Sequence, residues 1–194
     1  MNNGNYYNEE YASYVENSIN VDLLHIYDQF LELIPIKGSI LDAGCGSGRD
    51  MLYFNNAGYS VKGFDNSIKM VEIASSYSKC SVDYTSFEKI EYKDAFDGIW
   101  ACASLLHVQR EDLNDVFIKL HKALHKGGIL YCSFKNREDD FTDNKRSFTC
   151  FSPQKIEQFI SLLSIFSIEK IFISEDARKE RKGEMWTNAL LRAL

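Results

Sequence analysis

Residues 40–50 read ILDAGCGSGRD, a short apolar run followed by Gly44, Gly46 and Gly48, each pair separated by one small residue. Glycine admits positive φ and lets a ligand come close to the main chain. A helix-like stretch follows. The segment therefore predicts strand, glycine turn and helix, a unit that binds a small molecule at a helix N-terminus. Seventeen residues beyond Gly48, a second apolar run ends in Asp65. That offset suits a carboxylate at the tip of the next strand, able to take both hydroxyls of a ribose.

The rest of the chain repeats this alternation. Residues 1–16 carry Tyr7, Tyr11 and Tyr14 on one helical face, either a short cap packed on the core or a lid over a ligand site. A helix is expected over 19–34, from the 3.6-residue stripe Leu23, Leu24, Tyr27, Phe30, Leu31 and Ile34, with Asn17 or Ser18 as cap. Strands are expected at 39–43, 59–65, 81–84, 96–102 and 129–134. Helices are expected at 49–56, at 68–76 behind a Ser67 or Asn66 cap, and at 111–124, the last broken by Gly127 and Gly128. Residues 135–150 are polar and mixed in charge and read as a loop. A helix opens at Pro153, and two strand-like runs, 167–173 and 186–191, have no crossover helix between them. They should pair as an antiparallel hairpin. The pattern predicts a three-layer α/β/α sandwich with a mostly parallel seven-stranded sheet and an antiparallel C-terminal strand hairpin. It is expected to be one domain over 1–194, with 1–38 as a helical lid or cap.

The formal net charge of −6 argues against a protein that grips phosphate backbones, which needs a positive footprint. The five cysteines are odd in number, with no CxxC and no close Cys/His pair, so they predict a reducing compartment, and Cys45, Cys102 and Cys132, in predicted strands or strand ends, read as small buried filler. The N-terminus lacks the basic and apolar regions of a signal peptide, and no run approaches a membrane span. A cytoplasmic protein without a metal is expected.

Two cofactor classes fit a glycine turn followed by an acid. Dinucleotide folds place a third glycine three residues after the second, in GxGxxG. Here that position is Arg49, and the spacing is GxGxG. No GKS or GKT follows, which excludes a phosphate-cradling P-loop.

ILDAGCGSG followed by GFDNS, then FDGIWACASLLHV, then LHKALHKGGILYCSFK, resembles the class I S-adenosylmethionine-dependent methyltransferases, in particular small bacterial members. The similarity covers residues 40–135, and the terminal hairpin looks like the reversed last strand of that fold. The resemblance implies S-adenosylmethionine as cofactor. Gly44, Cys45 and Gly46 would then line its methionine and ribose portion, and Asp65 would accept from the ribose hydroxyls or, alternatively, cap the next helix. Asn66 and Met70 would meet the adenine, with ordinary helix core as the other reading of Met70. Ser86 and Phe87 would also meet adenine, and Ala103 and Ser104 would face the sulfonium. Arg49, with Tyr11 from the lid, would hold the amino-acid carboxylate; a surface salt bridge is the other reading of Arg49.

The acceptor is less constrained. Nucleic-acid amino methyltransferases of this fold often carry an Asn/Asp-Pro-Pro-aromatic motif after strand four, and here the place reads Ala103-Ser104-Leu105-Leu106. His107 is the candidate base, matched to proton transfer near neutral pH, or else a residue that packs under the lid. The loop over 135–148 would cover the acceptor, with Lys135 or Arg146 meeting an anion, and Arg178, Trp186 and Asn188 would flank the pocket. The expected function is methyl transfer to a small molecule by a monomer or homodimer. RNA or protein methylation, or a non-catalytic cofactor-binding regulator, are the alternatives.

Overall fold

The computed structural model describes residues 3–143 and 146–194. Two short helices begin the chain, α1 (Asn3–Glu9) and α2 (Tyr11–Ser18), followed by α3 (Leu24–Leu31). The alternating region then runs β1 (Ser39–Ala43), α4 (Arg49–Asn56), β2 (Ser60–Asp65), α5 (Ile68–Ser78), β3 (Ser81–Tyr84), β4 (Phe96–Ala101), α6 (Leu113–Ala123) and β5 (Leu124–Lys135). A small hairpin, β6 (Phe141–Asp143) and β7 (Arg146–Phe148), precedes α7 (Pro153–Leu163), β8 (Phe166–Glu175) and β9 (Met185–Ala193).

Seven strands form one sheet in the order β3-β2-β1-β4-β5-β9-β8. The first five are parallel, and β9 inserts antiparallel between β5 and β8. The order reverses beside β1, so the carboxyl ends of β1 and β4 flank a crevice of the kind where open α/β sheets bind ligands. Strand burial follows from this layering. Ile40, Leu41, Ile99, Trp100, Leu130 and Tyr131 are fully buried, as central strands covered on both faces must be. One apolar layer packs α6 and α7 on the sheet through Phe117, Leu120, Ile156 and Ile160. The other packs α3 and α4 through Tyr27, Phe30 and Phe54 around Trp100.

Four sequence expectations need correction. The helix expected over 19–34 begins only at Leu24, behind Leu23; Asn17 and Ser18 lie within α2 and do not cap it, and the Leu24 N–H donates to Asp22 at 2.9 Å. Leu24 itself is exposed, because the helix turns Leu23, Tyr27 and Phe30 inward instead. The helix expected over 111–124 is Leu113–Ala123, and the strand starts at Leu124; Gly127 and Gly128 lie within β5 beside a register shift. The loop over 135–150 contains a hairpin. Phe141 and Phe148 are cross-strand partners whose rings stack at 4.6 Å, an apolar pair of the kind that stabilises a short ladder. Lys145 lies outside the described residues. Among those residues no helix is long and apolar enough to cross a membrane.

Candidate active site

The glycine turn folds back onto the end of β2. The N–H groups of Gly44 and Cys45 donate to the Phe64 carbonyl at 2.9 and 3.0 Å, and that of Gly46 donates to Asp65 Oδ2 at 3.0 Å. Gly48 has φ +82°, and a Cβ there would lie 2.8 Å from the Ala74 backbone. The close helix packing that dinucleotide folds obtain from a third glycine at the Arg49 position is thus supplied one residue earlier. Gly44 fails to accept a side chain for a different reason: its Cβ would meet that of Ser104 at 2.6 Å, where the ends of β1 and β4 touch.

Asp65 Oδ1 also accepts from the Ser67 N–H at 2.9 Å. Burial raises its pKa to about 6, and the backbone donors of Ser67, Gly46 and Asn66 only partly oppose that. Beyond β4, Ala103 takes a left-handed φ of +51°, a cost of about 1 kcal/mol at least. Its N–H is held by Ser133 Oγ at 2.8 Å, and the Ser104 hydroxyl donates to the Ala43 carbonyl at 2.6 Å. These bonds fix the strained turn between two cavities.

The first cavity, about 590 Å³, is lined by Gly44, Gly46, Asp65, Asn66, Met70, Ser86, Phe87, Ala103, Ser104 and His107. Ten of the sequence-selected residues therefore come together on one surface. The second cavity, about 220 Å³, lies on the other side of the strand-four turn and takes in Cys45, Arg49, Lys135, Arg146, Arg178, Trp186 and Asn188. Both share Tyr7, Tyr14, Gly44, Ala103 and His107.

Tyr11 is the exception. It lines neither cavity and is 41% exposed. The continuous helix that would carry Tyr7, Tyr11 and Tyr14 on one face is broken at Glu10, and Tyr11 opens a new helix whose Tyr14, not Tyr11, lines the cavities. Tyr7 and Tyr14 roof the site instead, their rings 5.0 Å apart and the Tyr14 hydroxyl 3.0 Å from where a Gly46 Cβ would stand. Burial raises the pKa of both phenols, so both are neutral hydroxyls. Their seven-residue spacing was the available signal. Thr85, Gln109 and Val108 in the wall of the first cavity carried none.

Arg49 is engaged in a salt bridge, but a buried one rather than the surface pair that is its other sequence reading. It donates through Nε and Nη2 to Asp50 at 2.5 and 2.9 Å and through Nη1 to the Ser18 carbonyl at 3.0 Å. Asp50 also accepts from Tyr27 at 2.5 Å and Trp100 at 2.8 Å. Burial opposes its ionisation, yet the Arg49 charge and these donors hold its pKa below the ordinary value. Lys135 is likewise matched: it sits beside Glu184 and Asp176 and over the Trp186 ring. The expectation that Lys135 meets an acceptor anion fails, because these carboxylates already hold it.

His107 packs against Phe148 and under α1. Its Nε2 lies 2.8 Å from the Tyr7 hydroxyl and its Nδ1 3.2 Å from the Ser147 carbonyl. Burial lowers its pKa to about 4, and the nearby Arg146 charge adds to this. Cys102 at the β4 end is pushed up to about 12 by burial and the Asp50 charge, so it is an inert thiol.

Comparison with known proteins agrees with this geometry. A methyltransferase domain family matches residues 40–128. The carboxy-S-adenosyl-L-methionine synthase of Campylobacter jejuni subsp. jejuni serotype O:6 is 30% identical over 143 residues, covering 69% of this chain and 60% of that protein. The chain thus spans about 60% of the length of the curated relatives it matches. Among solved structures, a SAM-dependent methyltransferase from Methanosarcina mazei has a TM-score of 0.77 at 17% identity, covering 89% of this chain and 99% of that one. The 1,6-didemethyltoxoflavin-N1-methyltransferase of Burkholderia thailandensis, solved with 1,6-didemethyltoxoflavin and S-adenosylhomocysteine, has the same TM-score of 0.77 at 17% identity, covering 98% and 86%. At those identities the likeness is one of fold. With the GxGxG turn, the acid at the β2 tip and the reversed last strand in place, the chain has the fold of the class I S-adenosylmethionine-dependent methyltransferases and matches a methyltransferase domain family over residues 40–128.

Proposed function

We propose that this chain takes a methyl group from S-adenosylmethionine and delivers it to a small-molecule acceptor by in-line displacement. The observation that carries this reading is the meeting of two cavities at Gly44, Ala103 and His107 under one roof. The residues fit the cofactor. Asp65 has both oxygens on backbone donors yet faces the first cavity, where spare lone pairs would accept from ribose hydroxyls. Asn66, Met70, Ser86 and Phe87 would meet the adenine, and Gly44, Cys45, Gly46, Ala103 and Ser104 the methionine portion. When bound, the cofactor supplies a methyl activated on sulfur, and the fold supplies placement.

The protein's own work is to exclude water and hold the acceptor's nucleophile about 3 Å from its target, in line. Tyr7 and Tyr14 close the site. His107 belongs to the acceptor side as the neutral partner of Tyr7. With a pKa of about 4 it is a weak base at neutral pH. An acceptor that arrives as an anion, or as a free lone pair, suits this site better than one that needs a strong base. The narrow roofed cavity favours a small molecule over a polymer. The five free thiols support a reducing, cytoplasmic setting.

A second reading follows from the Campylobacter relative, whose name makes the cofactor itself the substrate that gains a carboxyl group. One experiment separates the two. The protein is incubated with methyl-labelled S-adenosylmethionine and a mixture of small organic acids, amines and phenols, and the products are resolved by mass spectrometry. Label on an acceptor together with S-adenosylhomocysteine supports methyl transfer. Label retained on a carboxylated cofactor supports the second reading.

A further inference from the structure

The second cavity is rich in cations, and most are already matched. Arg49 lies on Asp50, Arg178 makes paired hydrogen bonds to Asp176 at 2.8 and 2.6 Å, and Lys135 sits between Glu184 and Asp176. Arg146 differs. Among the described residues its ion partner is Asp143, 3.7 Å away and with 53% of its side chain exposed. Water screens such a pair strongly. The Arg146 side chain is only 13% exposed, and its Nε is sealed from solvent with no hydrogen-bond acceptor among the described residues.

The surroundings explain the burial. The guanidinium carbon lies 4.5 Å from the Tyr6 ring centre and 5.1 Å from that of Phe148. These rings strip water from the cation and fix its plane. Phe148 is itself held by Phe141 in the hairpin, and Tyr6 rides on α1. A desolvated guanidinium with a weak counter-charge gains from an anion that brings charge-assisted hydrogen bonds. The Tyr7 hydroxyl spends its one proton on His107 Nε2 and can only accept from the neighbouring guanidinium, so the donors for an anion come from Arg146.

We infer that Arg146, in the corner beside Tyr6 and Phe148, seats an acidic group of the acceptor, which makes the substrate class small organic acids with a planar, apolar body. The walls beside this corner, Leu106, Phe148 and Trp186, are apolar, and the cavity volume of about 220 Å³ suits a body of about one ring. The assignment of this cavity to the acceptor rests on the methyltransferase reading above. The anion seat itself is a property of this chain's own side chains.

Benzoate and benzamide, equal in shape and different in charge, are the probes. Each is titrated calorimetrically into the protein, with and without saturating S-adenosylhomocysteine. Benzoate is expected to bind at least about tenfold more tightly than benzamide. Arg146→Gln is expected to abolish that preference, and Asp143→Asn, at an exposed position, to strengthen it. Equal binding of the two probes, no binding of benzoate, or a preference that survives Arg146→Gln overturns the inference. The S-adenosylhomocysteine titration is a separate arm: its failure strikes the methyltransferase reading, while the probe titrations on the free protein still report on Arg146.

Discussion

The Tyr7 hydroxyl lies 2.8 Å from Nε2 of His107, joining the roof helix to the turn after β4. The other ring nitrogen faces the Ser147 carbonyl at 3.2 Å. A carbonyl can only accept, so in the neutral ring Nδ1 carries the proton and Nε2 accepts from Tyr7. Tyr7→Phe removes this bond and keeps the ring's contact with Tyr14. It is expected to cost about 1 kcal/mol of stability, to speed hydrogen exchange in α1, and to slow methyl transfer more than it weakens cofactor binding. Wild-type exchange and turnover in this variant would contradict a latch at this point.

Acid stability carries two opposed contributions. His107 is depressed to about 4 by burial, while an unfolded histidine titrates near about 6.5. Between those values the unfolded chain binds the extra proton, so this stability is present above about 6.5 and is lost as pH falls towards about 4. Asp65 runs the other way. Its pKa is raised to about 6 by burial, so its contribution is complete below about 3.9 and is lost as pH rises through about 6. Urea denaturation of the wild type is expected to give a nearly flat stability between about pH 4.5 and 6.5 from these two groups. Asp65→Asn removes one of them, and the variant should lose about 1–3 kcal/mol on going from pH 7 to pH 5. An Asp65→Asn profile as flat as the wild type contradicts the assignment.

Gly48→Ala meets both a left-handed backbone and the Ala74 main chain at 2.8 Å. Gly58→Ala meets the same kind of backbone, φ +90°, in open space. The second should cost about 1 kcal/mol and the first about 2–4 kcal/mol, because overpacking adds to strain. Chemical denaturation of both variants checks the difference; equal losses would mean that α4 and α5 separate easily.

Asp50→Asn leaves Arg49 buried beside a neutral amide and weakens the bonds from Tyr27 and Trp100. A broken buried ion pair costs about 3–5 kcal/mol. The loss should appear in thermal melts and in the near-ultraviolet signal of Trp100, whose indole N–H donates to this carboxylate at 2.8 Å. A change below about 1 kcal/mol would show that Arg49 finds another acceptor.

Much of this was legible in the chain. The glycine turn, Asp65 and the Ser67 cap are local features, read from residue type and spacing, and the Ser67 hydroxyl does accept from the Met70 N–H. Buried strands such as β4 announce themselves by near-continuous apolar runs. What escaped depended on contacts between distant segments. Nothing near Glu10 in sequence says that the first helix breaks there, so spacing alone points to Tyr11 where the fold presents Tyr7 and Tyr14. The β6–β7 hairpin has two aromatic residues in a polar stretch, and the stacking of their rings and the packing of Phe148 on His107 depend on the fold. The fate of Lys135 is set by Asp176 and Glu184, about 40 to 50 residues on in the connection between β8 and β9. Asp50, adjacent to the selected Arg49, was passed over because its partners Tyr27 and Trp100 lie 23 and 50 residues away.

The most direct measurement is a calorimetric titration of the protein with S-adenosylmethionine and S-adenosylhomocysteine, repeated with Asp65→Ala. The account predicts saturable binding of both ligands at one site and a loss of at least about tenfold in the variant, the worth of charged hydrogen bonds to a ribose. It also predicts that wild-type affinity falls as the pH drops below about 6, where Asp65 takes up its proton and loses acceptor capacity. Failure of both ligands to bind, or binding that Asp65→Ala leaves unchanged, contradicts it.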